Sequence, residues 1–135
     1  MTKEEAKNIL RYHSFTHEDI NHPRTKRGFL GMLRPFLGEL VEKNYHEVMG
    51  AIKVLADDLR EEDKVDREIV STIWSICHLT RSWAIQPGGM LRRNNLIKKE
   101  QVKKLEDWVE AISYTTMMIL DGSDNQTAFE FYQDE

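Results

Sequence analysis

Five histidines, one cysteine and a crowd of carboxylates are the residues that could do chemistry. Three histidines cluster in HSFTHEDINH, where His13, His17 and His22 enclose Glu18 and Asp19. If a helix ran past His13, then His13 and His17 would share a face at i, i+4, as paired metal ligands do. Ser14 and Thr16 instead read as helix breakers or caps, and no acidic residue completes a known metal pattern. The segment therefore reads as a polar loop of surface histidines, with a small helical metal protein or metalloenzyme on His13, His17, His22 or His78 as the alternative. Cys77 and His78 are adjacent. Neighbours on a helix point about 100° apart, whereas a cysteine nucleophile needs its base within about 3 Å. Cys77 reads as a small core residue and His78 as a boundary residue or a buried, hydrogen-bonded one.

Paired carboxylates gather at Asp57, Asp58, Glu61, Glu62 and Asp63. Their surroundings are hydrophilic, and nothing nearby would raise a pKa as acid catalysis requires. Pro87-Gly88-Gly89 follows a helical pattern and lacks the lysine of a phosphate-binding loop. The expectation is a non-enzyme with no metal and no cofactor.

The elements that would carry these residues are helical. Thr2 can cap a helix from about Lys3 to His13, with Glu5 placed as in a capping box. Phe29, Leu30, Leu33, Phe36, Leu37, Leu40 and Val41 recur at helical spacing, predicting a helix to about Lys43 that continues, kinked, through Pro35. Asn44 is placed to cap the next helix, to about Arg60, with apolar Tyr45, Val48, Met49, Ile52, Leu55 and Leu59. Asp66 caps a helix to about Ile85, whose wide apolar arc, including Trp74 and Trp83, marks it as central. The last helix spans roughly Lys99 to Leu120, and Gly122 terminates it. Short connectors favour antiparallel packing. The fold class is all-α: a single compact bundle of about five helices over residues 1–135, with 123–135 a short acidic, aromatic tail. Phe129 and Tyr132 could fold this tail back onto the domain, or leave it as a docking peptide.

At 135 residues, 40% hydrophobic and 31% charged, the chain can bury a core without staples. Its opening stretch, MTKEEAKNIL, contains no apolar run of a signal peptide, and no segment is apolar enough to span a bilayer. A cytoplasmic location without membrane contact is expected. The net charge of −4 gives nucleic acid no overall basic field. Base is local: Arg24, Lys26, Arg27 and Arg34, then Arg92, Arg93, Lys98, Lys99, Lys103 and Lys104. Glu100 and Lys104 are spaced to pair on one helix face. Acid concentrates at residues 57–63 and in the tail's Glu130, Asp134 and Glu135. Such segregation reads either as a mixed, solvated surface or as a polarised surface for a charged partner.

The stretches WSICHLTRSWAIQPGGMLRRNNLI and EDWVEAISYTTMMILDG, within residues 66–122, resemble small all-helical bacterial proteins of the immunity type, which neutralise a toxin in contact-dependent competition. The resemblance rests on general character and assigns no functional residue. It implies a non-enzymatic inhibitor whose partner is a cognate toxin, and a basic nuclease face would suit the acidic residues 57–63 and the tail. The alternative is a nucleic-acid-associated regulator using the basic segment 92–104.

Overall fold

A computed structural model describes residues 1–61 and 63–132. Four long helices make the bundle: α1 (Lys3–His13), α4 (Glu42–Glu61), α5 (Arg67–Thr80) and α7 (Lys99–Leu120). Short helices α2 (Pro23–Lys26), α3 (Phe29–Leu33), α6 (Met90–Arg93) and α8 (Asn125–Ala128) join or flank them, so the elements outnumber the five expected. The sequence signals account for the long helices. The Thr2 hydroxyl accepts the Glu5 amide, and Asp66 accepts the Glu68 amide. Gly122, at φ 94°, takes the left-handed conformation just beyond α7, where a side chain would be strained.

The long helices occupy the corners of a square. Helix α1 packs on α4 and α5, and α7 packs on the same two, which leaves α4 and α5 on a diagonal. Ion pairs fix the directions. Lys3 meets Asp58 while His13 meets Glu47, so α1 and α4 run antiparallel. Lys7 meets Asp66, and Arg11 meets Glu68, at the start of α5. The core between the corners is closed to solvent, with Leu10, Phe29, Met49, Ile52, Ile76, Leu105 and Ile112 at or below 1% exposure.

Two expectations fail at one proline. The helix begun at Phe29 stops at Leu33, and Arg34 is extended (φ −148°, ψ 95°). Proline has no amide hydrogen, and its ring excludes the preceding residue from the helical region. Leu37, expected in the apolar stripe, is consequently 87% exposed. Asn44 does not cap α4 either. The helix begins earlier, at Glu42, and buried Asn44 donates to the Arg27 carbonyl at 2.8 Å, holding the loop down. After Thr80 the chain opens into one π-helical turn, Arg81–Ile85, before Pro87. Arg92 donates to the carbonyl of Ile85, the last residue of that turn (2.8 Å).

Candidate functional site

The acidic cluster lies where α4 ends. Asp57, Glu61 and Asp63 are exposed, and Asp58 is half-exposed. Glu62 lies outside the described residues, as do Asp134 and Glu135 of the tail. Two members are already matched: Asp58 by Lys3 at 2.8 Å, and Asp57 by Arg60 at 3.1 Å. Glu61 and Asp63 make no ion pair among the described residues. Arg60 turns its other donors to the Ser123 carbonyl and the Asn125 side chain, binding the end of α4 to the turn after α7. That turn adds exposed Asp121 and Asp124 to the same end of the bundle. Glu130, on the tail, is instead held by the Tyr114 hydroxyl at 2.6 Å.

The basic segment sits at the opposite end, and ion pairs thin it. Lys104 reaches Glu42 on α4 at 3.2 Å, not Glu100, because α4 and α7 are neighbours. Lys103 pairs with Asp107 at 2.8 Å. Arg93, Lys98 and Lys99 remain exposed, and Arg34 lies over the Trp83 ring.

A groove between α5 and α7 was not located by the sequence patterns. It encloses about 830 Å³ and is lined mainly by apolar side chains, among them Val70, Trp74, Met117 and Leu120. Trp74 is 72% exposed, Met117 56% and Leu120 41%. Helix α5 is thus not the centre of the bundle. Its wide apolar arc comprises a core face and a second face on open groove. Cys77 lies at the groove floor, 5% exposed, with the Ser113 hydroxyl donating to its sulfur at 3.4 Å. Burial pushes the thiol pKa up, which disfavours the thiolate a nucleophile needs. His78 is exposed and lines the same groove, while the Cys77 sulfur has its contacts with the Ser113 hydroxyl and the Val109 carbonyl.

The histidine cluster divides. His13 is a core residue, 2% exposed, and not part of a surface loop. Its Nδ1 accepts the Phe29 amide at 2.9 Å, which places the ring proton on Nε2, 3.0 Å from Glu47. Both nitrogens are thereby committed, leaving none for a substrate or a metal. The hydrogen bond from His13 holds the Glu47 carboxyl down to about 2, and Arg24 adds to the effect. His17 stacks on Tyr12 with centroids at 4.3 Å, and His22 lies tilted against the same ring at 4.9 Å. Each spends Nδ1 on a nearby backbone amide. Among the described residues no group of three or more His, Cys, Asp or Glu side chains could hold a metal ion.

The tail packs back as far as Tyr132. Thr115 donates to the carbonyl of buried Ala128 (2.8 Å), and the Tyr132 hydroxyl meets His46 Nδ1 at 2.8 Å. Tyr132 also lies edge-on to Tyr45, which stacks on Trp108.

This arrangement defines an all-helical bundle with its charge divided between its ends and an apolar groove along one side. No described helix is long and apolar enough to cross a membrane. Comparison with protein-family models, with curated proteins and with solved structures finds no match.

Proposed function

We propose that this chain is a non-enzymatic inhibitor of a basic protein, an immunity protein that covers the active face of a nuclease-type toxin and keeps nucleic acid out. The observation that carries this reading is the outward display of Asp57, Glu61 and Asp63 at one end of the bundle. Asp121 and Asp124 extend the same end. A fixed field of carboxylates steers a basic partner and speeds encounter by about 10- to 1,000-fold. The basic segment supports a nucleic-acid reading less well, since Lys103 and Lys104 already face carboxylates.

The test begins with capture of the tagged chain from its own cells, followed by a nuclease assay on any basic protein retained. Association is then timed for wild type and for Asp57→Lys/Glu61→Lys/Asp63→Lys. The triple variant should associate at least about tenfold more slowly at low salt, with a flatter ionic-strength dependence. Unchanged association would remove this end of the bundle from the interface. Retention of nucleic acid that washes off with salt, in place of protein, would overturn the inhibitor reading.

A further inference from the structure

The α5–α7 groove leaves three large apolar side chains in water: Trp74, Met117 and Leu120. Exposed apolar surface that is contiguous, and not scattered, marks an interaction site. Its charges are placed in a particular order. Arg81 sits at the end of the groove towards the π turn, and Asp121 sits at the other end, just past α7. The Arg81 guanidinium bonds the Ser113 hydroxyl at 3.1 Å, which sets it level with Ser113 on α7. From Ser113 to Asp121 is eight residues, about 12 Å along a helix axis. Met117 lies midway between them in the chain. Asp121 is exposed and makes no ion pair among the described residues.

That spacing is self-complementary under a two-fold axis. If a second copy is turned end for end over the groove, with the axis near Met117, then Arg81 of each copy faces Asp121 of the other. Trp74, Met117 and Leu120 of the two copies meet between the paired charges. An isologous contact needs this property, since each patch must match itself after reversal. We infer that the α5–α7 face is a self-association surface, and that its occupant is a second copy of this chain, held antiparallel by reciprocal Arg81–Asp121 pairs around a Trp74–Met117–Leu120 centre.

The inference does not rest on the inhibitor reading, although Asp121 borders both surfaces. Asp57 and Glu61 lie in the last turn of α4, at the corner of the square opposite α5, so a dimer of this kind leaves them open.

Sedimentation equilibrium over a wide concentration range is the test. Wild type should pass from monomer to twice the monomer mass as concentration rises. Trp74→Asp should weaken association by at least about tenfold, the effect of about 1.4 kcal/mol. At 72% exposure this substitution leaves the monomer core untouched, and an unchanged helical circular dichroism signal checks that it has. Arg81→Asp alone sets carboxylate against carboxylate at both ends of the contact, and Asp121→Arg alone sets guanidinium against guanidinium there. Both should dissociate it. The double exchange Arg81→Asp/Asp121→Arg should restore association, because the reciprocal pairs return with their signs reversed. Wild type that stays monomeric at every concentration would overturn the inference, and so would a double exchange that stays apart while each single variant folds. If the groove is instead protected from hydrogen exchange by the captured toxin partner, its occupant is that partner and not a second copy. The triple charge variant at residues 57–63 should dimerise as wild type does, so the two surfaces can fail separately.

Discussion

His13 shows how one side chain can serve the fold with groups that resemble an active site. A buried imidazole beside a carboxylate is the pairing that general bases use, but here the backbone amide of Phe29 consumes the second nitrogen. The pair therefore closes the corner where α1 ends, where the α3 segment begins and where Glu47 on α4 passes. Its energetics carry a sign. The Glu47 carboxyl sits at about 2 in the folded chain, against an ordinary value of 4.5. A depressed folded pKa adds stability that is complete above the unfolded value and lost as pH falls through the folded one. With solvent screening at a partly exposed carboxyl, the expected contribution at neutral pH is about 1–2 kcal/mol. Glu47→Gln should lower the urea midpoint at pH 7, and the gap from wild type should close between pH 4.5 and 2. A gap independent of pH would mean that packing, not charge, holds this corner.

At the scale of elements, close backbone approach decides what each glycine tolerates. Gly31 lies in α3 against the end of α2, and a Cβ there would fall 2.2 Å from the Thr25 carbonyl oxygen and 2.5 Å from that of Lys26. Gly89 is caged in the same way by the carbonyls of Ser82 and Trp83 in the π turn and of Gln86 just after it. Alanine at either position must push backbone apart, so each variant should lose about 1–3 kcal/mol, or more, in thermal unfolding. Gly50 is the counter-example. It lies in mid-α4 with nothing within 4 Å of its Cβ position, so Gly50→Ala should raise stability by about 0.5–1 kcal/mol through helix propensity alone.

These contrasts show where the sequence was legible. The bounds of α1 and α7 follow from caps and from 3.6-residue periodicity, which are local. The kinked helix expected across Pro35 fails because Phe36, Leu37, Leu40 and Val41 keep helical spacing without any helix to use it. Periodicity records apolar positions and is blind to the backbone that must present them. The site was legible only in part, for the same reason. The run at residues 57–63 is visible in the chain, but Lys3, 55 residues away from Asp58, is not visibly its partner. The spacing of Trp74 and Trp83 puts them on different sides of one helix, with at least one beside a surface groove, and only the placement of α7 shows that the open side is the one carrying Trp74.

Across the whole molecule, the two sides of α7 are treated differently. On the α4 side the chain supplies its own cover: Tyr132 lies against Tyr45, which stacks on Trp108, and Phe129 lies against Tyr132 with Lys53 over its ring. On the α5 side nothing from the described chain covers Trp74 and Met117. The tail is thus a structural part of the bundle as far as Tyr132, and its anchors can be named. Arg60 binds Ser123 and Asn125, Thr115 binds Ala128, and Ala128 itself has no exposed surface. Removing residues 124–135 should leave the four long helices assembled, because α1, α4, α5 and α7 make their mutual contacts without the tail. Stability should nevertheless fall by about 2–4 kcal/mol, the scale of losing one or two large buried side chains. The Trp108 ring, 5% exposed in the intact chain, should then gain access to solvent. With Trp74 and Trp83 replaced by Phe, so that Trp108 alone reports, truncation should shift its emission to the red and increase its quenching by acrylamide. A truncated chain with the same urea midpoint and the same quenching would assign residues 124–135 to a partner and leave the bundle complete without them.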